Sequence, residues 1–547
     1  MVWLIVGGKT NNQQPTTNQF GESECQLLGV LPRHIVSLLP ALHREGALEV
    51  YLSSSSVPCP GLFYSTSARD GRLFRIRIPG GIVTTRQFRI VADLAEKFGA
   101  GYVNITNRAN LQIREVHTQI TSEVLHLLQD IGLASPNPGV DHLRNIMGSP
   151  TAGIDSEELI DTRSLIRKLD NYISSHVELA PLSPKFSIAV DGGGALKVCD
   201  RPNDIILTAV ELSTQIYFHL KLNLGESSTN TGILLQPQEC VDVVSAIAKV
   251  YLQYSALEKE NLTPYRKSPK VRLFEVLHTL SIERFLQEVE SHLSYPLRRL
   301  SHLPTILPPH PHLNRYLHLG VHPQRQQELF YIGVVLPLGK LETWQMQGLA
   351  DIAQGYGIGK LRLTPWQNLL LTDIPKQYIH EVQSKIENLK LHWSATNLYS
   401  ALVACAGSTG CASSATDTKN HALMLAEYLD QRVTLNQPVN IHFTGCPKSC
   451  AQYNNSDITL LGISEDNYQI YVGDSDDESK FGRVLYQAVP FAELPPLIEK
   501  ILQLYIARRQ TRHESLGEFA NRHGIAQLQQ IVEGDGEVGG VGSVRSV

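Results

Sequence analysis

The sequence predicts an α+β fold: a duplicated half-domain with pseudo-two-fold symmetry, joined to two α/β lobes. Three observations carry this. A strand–helix–strand–strand pattern starts at Arg72, a second copy follows without a gap 258 residues later, and four cysteines sit in two short segments beyond the second copy. The chain has 547 residues, room for about three domains at roughly 150 residues each. With 42% apolar and 18% charged residues it can build large cores. Its net charge of −5 gives no support for a nucleic-acid or other polyanion partner.

The apolar run Val2–Val6 is short for a signal sequence, and no stretch approaches the ~20 apolar residues of a membrane span. The expectation is a cytoplasmic protein with no membrane partner. Residues 1–54 read as an N-terminal extension with a polar, disordered part, and 533–547 as a Gly/Val/Ser-rich disordered tail.

The first copy begins with Phe74-Arg75-Ile76-Arg77-Ile78, whose apolar–basic alternation is the period of a half-buried strand. Arg75 and Arg77 therefore share a face. Pro79-Gly80-Gly81 is a turn. Thr84 or Thr85 caps a helix with Phe88, Val91, Ala92, Ala95 and Phe98 on one face, ended by Gly99. Strands follow at Tyr102–Thr106 and Leu111–Val116. Residues 79–113 align with 337–371, and 12 of 35 positions are identical, glycines and helix face included. So long a period marks a duplicated domain half, not a solenoid. The copies differ in charge: Arg75, Arg77 and Arg108 become Gly333, Val335 and Trp366. This predicts that the first copy faces an anionic ligand while the second only scaffolds.

Between the copies, Arg144-Asn145 leads into a turn-rich segment, Ser149–Asp155, with helical spacing from Ser156. Lys185–Val190 reads as a strand, and Asp191-Gly192-Gly193-Gly194 as a hairpin or a close approach of backbone to a ligand. Residues 257–312 are the least regular and end in a Pro-rich linker, Leu307–His312.

The cysteines read Cys405-x5-Cys411 and Cys446-x3-Cys450. Disulfides, a structural zinc and an iron–sulfur cluster all use such sets. The five-residue spacer is wide for a zinc knuckle and suits a cluster held by thiolates. Ala415–Leu429 has helical spacing, so the first pair lies on a loop entering a helix. Cys446 and Cys450 suit a turn or a first helical turn. A cluster moves single electrons, so a second redox group or a redox-active substrate is implied.

The repeated unit, Arg75-Ile76-Arg77-Ile78-Pro79-Gly80-Gly81, Thr106-Asn107-Arg108-Ala109-Asn110 and Gly445-Cys446-Pro447-x-x-Cys450 resemble the sulfite/nitrite reductase hemoprotein family over about residues 55–500. The resemblance implies ferredoxin-like half-domains at 55–130 and, with a linker, at 301–385. It implies a lobe with tetrapyrrole-binding cations at 131–300 and a [4Fe–4S] lobe at 386–532. Cys405, Cys411, Cys446 and Cys450 would hold the cluster, and Cys450 would bridge it to the iron of sirohaem. Arg75, Arg108, Arg144 and Lys185 would bind tetrapyrrole carboxylates, with Arg75, Arg144 and Lys185 also serving catalysis at the bound oxyanion. A mononuclear iron stays open.

Anion-reducing members pair that lysine with a second cation, whereas Pro184-Lys185-Phe186-Ser187 has one. Lys185-Phe186, Val190–Gly194, Cys59-Pro60-Gly61, Arg362–Trp366, Ala404–Gly407 and Cys411-Ala412-Ser413 resemble the precorrin-3B synthase branch instead. That branch implies oxygen-dependent hydroxylation of precorrin-3A with lactone formation in cobalamin biosynthesis, the tetrapyrrole being substrate. Ala152–Asp155, Ile160–Arg163 and Thr444–Pro447 are reductase-like and keep the alternative: an assimilatory nitrite or sulfite reductase with sirohaem. The electron donor would be ferredoxin or an NAD(P)H-linked protein.

Overall fold

The computed structural model describes residues 61–534, apart from 226–227, 261–270, 301–315, 454 and 476–480. The expected extension over 1–54, Cys59-Pro60, the Pro-rich linker and nearly all of the tail lie outside the described residues.

The first copy holds β1 (Thr66–Ala68), β2 (Gly71–Ile76), β3 (Ile82–Thr84), α1 (Thr85–Phe98), β4 (Tyr102–Ile105), β5 (Leu111–Val116) and α2 (Ser122–Asp130). Helix α1 starts where the capping residues allow. The Thr84 hydroxyl accepts from the Gln87 N–H, and the Gln87 side chain accepts from the Thr84 N–H at 2.9 Å. Its buried face is Phe88, Val91, Ala92 and Ala95, and Gly99 ends it.

The first lobe follows: β6 (Ile146–Gly148), α3 (Arg163–Ser175), β7 (Ile188–Asp191), β8 (Ile205–Leu212), β9 (Gln215–Asn223), β10 (Ser228–Leu235), α4 (Cys240–Glu260), α5 (Leu273–Leu280), α6 (Ile282–Ser291) and β11 (Arg298–Arg299). Its sheet order is β11-β10-β9-β8-β7-β6, parallel from β6 to β8 and antiparallel beyond.

The second copy repeats the first: β12 (Gly320–Pro323), β13 (Leu329–Val334), β14 (Lys340–Glu342), α7 (Thr343–Tyr356), β15 (Lys360–Leu363), β16 (Leu369–Pro375) and α8 (Ile379–Asn388). The second lobe holds β17 (Leu402–Ala404), α9 (Thr418–Asp430), β18 (Ile441–Thr444), β19 (Ile458–Ser464), β20 (Asn467–Val472), β21 (Arg483–Pro490) and α10 (Leu494–Arg508). Its sheet runs β17-β18-β19-β20-β21, again parallel over the first three strands and antiparallel beyond. The duplication thus extends to the lobes, where no residue pattern announced it. Among the described residues no helix is long and apolar enough to cross a membrane.

The two copies are interlocked. Strand β3 pairs with β15 of the second copy, and β14 pairs with β4 of the first, while α1 packs on α7. One hydrophobic core runs through both copies. Gly81 (φ +73°) and Gly339 (φ +69°) sit where each chain crosses over. A Cβ at Gly81 would lie 2.7 Å from the Leu363 carbonyl oxygen, and one at Gly339 2.9 Å from that of Ile105. Only glycine combines that left-handed backbone with so close an approach.

The turns Thr106–Asn110 and Thr364–Asn368 are built alike. The Asn110 N–H donates to Thr106 Oγ1 at 3.1 Å and the Asn368 N–H to Thr364 Oγ1 at 3.2 Å. Asn110 Oδ1 accepts from the Ile78 N–H, and Asn368 Oδ1 from the Leu336 N–H, both at 2.9 Å.

Several expectations need correction. The helix read from Ser156 starts at Arg163, because carboxylates hold the intervening backbone in turns: Asp155 accepts from the Glu157 N–H, Glu158 from Gly153, and Asp161 from Arg163. The strand read from Lys185 starts at Ile188, leaving Lys185 in the turn before it. Gly192–Gly194 is no hairpin, since β7 and β8 are parallel. Cβ atoms at Gly192 and Gly194 would lie 2.5 Å from Ile160 O and Asp155 Oδ2, so the close approach is to the chain itself. The region 257–312, read as irregular, contains α5 and α6, which bury Val276, Leu277, Leu280, Phe285 and Val289.

Replacing Asn368 by alanine leaves the buried Leu336 N–H without its acceptor. The expected cost is about 1–3 kcal/mol, read as a lower denaturation midpoint at an unchanged denaturant slope.

Candidate functional site

The four cysteines lie on two loops of the second lobe. Cys405 and Cys411 flank a single helical turn, Gly407–Gly410, between β17 and α9. Cys446 and Cys450 follow β18 in a turn, not in a helix. Both loops leave the C-terminal ends of parallel strands, where α/β sheets place their sites. In place of a helix N-terminus, a single amide is aimed at sulfur: the Gly445 N–H donates to Cys405 Sγ at 3.3 Å. A Cβ at Gly445 would collide with Ser414 Oγ, so glycine is required there.

Burial pushes the Cys450 thiol up, and the neighbouring Cys446, Cys405 and Cys411 push it further. The four sulfurs therefore share one neighbourhood, and all four are free thiols, which removes the disulfide reading. Among the described residues no three His, Cys, Asp or Glu side chains come close enough to hold a single ion. The mononuclear iron left open above has no ligand set among the described residues.

The first copy is docked onto these loops. Asn107 Nδ2 donates to the carbonyl oxygen of Cys450 at 2.9 Å. Arg69 Nη1 donates to the Ser408 carbonyl at 3.0 Å, and Arg114 Nη2 to that of Gly410 at 3.2 Å. Arg114 is held in turn by Asp70 at 2.8 Å. Lys419, in the first turn of α9, reaches Asn104 Oδ1 at 3.4 Å; burial, then Arg114 and Lys340, lower its ammonium to about 8.

The four singled-out cations take different positions. Arg108 sits on the Thr106–Asn110 turn and donates to Asn203 Oδ1 at 2.6 Å and to the Pro202 carbonyl at 2.8 Å, just before β8. Arg75 is half-buried on β2 opposite Gln112, whose amide oxygen, correctly oriented, accepts from its guanidinium at 2.6 Å. Lys185 is exposed. Arg144 is 4% exposed and clamped by Asp170, at 2.8 and 3.0 Å, and by Asp141 at 3.5 Å. That clamp makes it a structural ion pair of the first lobe.

Neighbouring contacts join these positions to the cysteines. Asn145, beside Arg144, accepts from Asn110 Nδ2 at 3.2 Å, and Asn107 of the same turn reaches Cys450. The turn that carries Arg108 thus touches both the segment after Arg144 and the loop of Cys450. Arg77, 2% exposed, lies just beyond the end of β2 and was not among the four. Asn107, Arg114 and Lys419 also escaped the sequence reading. Position alone hinted at them: Asn107 inside the quoted motif, Lys419 eight residues after the first cysteine pair. Arg362, part of the synthase-like motif, is a brace: it donates to the Pro150 and Ala152 carbonyls at 2.9 and 2.7 Å, and burial lowers it to about 10.

The second copy does more than scaffold. Its turn lines a cavity of about 650 Å³ together with residues of both lobes, including Lys197, Arg201, Tyr399 and Gln452.

Comparison with known proteins agrees with this geometry. The chain matches the nitrite/sulfite reductase ferredoxin-like half domain over residues 67–131 and 322–389. It matches the nitrite and sulphite reductase 4Fe-4S domain over 139–297 and 396–537. The ferredoxin–nitrite reductase of Leptolyngbya laminosa is 30% identical over 462 residues, 81% of this chain and 88% of the relative. The chloroplastic ferredoxin–nitrite reductase of Spinacia oleracea is 29% identical over 466 residues, 81% of this chain and 76% of the relative. The NirA protein of Mycobacterium tuberculosis shares the fold, with a TM-score of 0.68 at 23% identity over 84% of each chain. These relatives favour the nitrite-reductase alternative over the precorrin-3B synthase branch.

Two variants test the site. Cys450→Ser should lose or destabilise the cluster, read as reduced iron and acid-labile sulfide in anaerobically purified protein. Arg144→Ala leaves Asp170 and Asp141 without their partner and should cost about 3–5 kcal/mol of folding stability, read from chemical denaturation.

Proposed function

The chain belongs to the nitrite and sulfite reductase family, and from that premise we propose that it is a ferredoxin-dependent nitrite reductase. The observation that carries this reading is the Asn107–Cys450 hydrogen bond. It ties the arginine-bearing turn of the first copy to the loop of the fourth cysteine. The residues that would hold a cluster and those that would hold an acidic macrocycle are thereby tied together. The donor set fits a [4Fe–4S] cluster through Cys405, Cys411, Cys446 and Cys450, and Arg75, Arg77 and Arg108 fit the carboxylates of sirohaem. When bound, these groups supply single-electron transfer and an iron that takes up the oxyanion.

The chain's own residues do the rest. Guanidinium groups bind carboxylates through charge-assisted hydrogen bonds. Lys185, exposed in the turn before β7, would supply a further positive charge if it faces the bound anion. The Gly445 amide stabilises negative charge on Cys405. Asn107 and Arg114 keep the two elements in register. Ferredoxin as electron donor is carried over from the relatives.

A second reading rests on a specific observation. Lys185 has no second cation beside it, at Pro184 or at Ser187, and Asp204 accepts from both the Ser187 backbone N–H, at 3.0 Å, and its hydroxyl, at 3.3 Å. With Arg144 clamped as well, fewer cations are left for an oxyanion. That favours an organic tetrapyrrole substrate and precorrin-3B synthase-like oxygenation.

Protein purified without air decides between the two. A sirohaem absorption band with ammonium formed from nitrite and reduced ferredoxin supports the reductase. Cluster absorption without sirohaem, together with oxygen-dependent conversion of precorrin-3A, overturns it in favour of the oxygenase.

A further inference from the structure

The fold duplicates a ligand-facing turn, and the second turn opens onto its own space. Thr364–Asn368 has the same hydrogen bonds as Thr106–Asn110 and lines a cavity of about 650 Å³. That volume lies within the range of sites for small molecules and cofactors. Leu402 and Val403 of β17, Asn440 just before β18 and Asn455 before β19 form its floor. In the first lobe, Arg108 meets Pro202 and Asn203 in the corresponding place, before β8. The cavity is thus the counterpart, in the other half of the molecule, of the site bearing the cations.

Its chemistry has been exchanged. Gly333, Val335 and Trp366 stand where the first copy has Arg75, Arg77 and Arg108. A polycarboxylate macrocycle loses its counter-ions. What replaces them is a layered aromatic wall. Trp366 lies flat on His318, ring centroids 4.5 Å apart and planes 10° apart, and the Arg201 guanidinium stands 4.7 Å from the indole centroid. Tyr316 and Tyr399 add two phenol rings. Lys197 and Arg201 bring two positive charges against the one negative charge of Asp200, and Gln367, Asn440, Gln452 and Asn455 bring amides.

We propose that this cavity, which borders the cysteine loop through Ala451 and Gln452, is a second binding site for a flavin-sized planar heterocycle carrying one phosphate. The size exceeds what a lone anion or a single ring would fill. Aromatic and guanidinium planes recognise a flat π-system. Amides match the donor and acceptor edge of a heterocycle. A surplus of one positive charge matches a phosphate and not a polycarboxylate. The site is built from the second copy's turn and segments of both lobes, without Arg75, Arg77 or Arg108, so it does not depend on whether the first site reduces nitrite.

The test uses the intact purified protein, titrated with flavin mononucleotide by calorimetry and by quenching of flavin fluorescence. The expected result is one molecule bound per chain. Trp366→Leu should weaken binding by about tenfold or more, the loss of roughly one aromatic contact. Lys197→Gln, a change at a half-buried residue outside the core, should weaken flavin mononucleotide while leaving riboflavin unchanged. Arg75→Gln should change neither. No saturable binding at millimolar flavin mononucleotide overturns the proposal. So does binding abolished by Arg75→Gln but untouched by Trp366→Leu and Lys197→Gln, which would place the ligand in the first copy's site.

Discussion

The structure depends on how the side chain of Asn110 is used. Its amide oxygen accepts from the Ile78 N–H, and its amide nitrogen donates to Asn145. One buried residue thereby joins the end of β2, the turn after β4 and the entry to the first lobe. The net worth of such bonds is modest. Leaving a buried N–H unmet is costly, so the geometry is over-determined. The neighbouring Asn107 is positioned by this turn, and through it the cluster loop. A slack turn would let Asn107 and the loop of Cys450 drift apart.

The interlocking of the two copies supplies the rigidity that the turn needs. Each copy lends a three-residue strand to the other's sheet, and the helices pack face to face in one shared core. A short strand contributes little alone. Placed at the edge of a foreign sheet, it satisfies backbone groups that would otherwise be left open and makes the two copies one cooperative body. The left-handed glycines at the crossovers are the local condition for that exchange.

Duplication followed by divergence explains the remaining asymmetry. The backbone of the turn takes different side chains at its second and third positions, Asn107 and Arg108 in one copy and Pro365 and Trp366 in the other, because its hydrogen bonds come from Thr and Asn. Arg108 and Trp366 occupy equivalent places without disturbing it. One copy became basic and docked on the cysteine loops; the other became aromatic and lines an open cavity. Likewise only the second lobe carries the cysteine quartet, though the two sheets share strand sense over five strands.

Much of this was written locally. The first capped helix, the Pro79–Gly81 turn and the thiol quartet were legible because each depends on residues close in the chain, such as Thr84 with Gln87 and Cys446 with Cys450. The periodicity of α1 and the alternation of β2 needed no partner to be read. Other features were settled only by tertiary packing. The clamp on Arg144 is made with Asp170, 26 residues away, and an arginine poised for a ligand looks the same in sequence as one already paired. Helices α5 and α6 were missed because their apolar faces gain meaning only against the first-lobe sheet. The exchanged strands, the Asn107–Cys450 bond and the cavity beside Trp366 each join segments tens to hundreds of residues apart, and nothing in local propensity encodes which distant surfaces will meet.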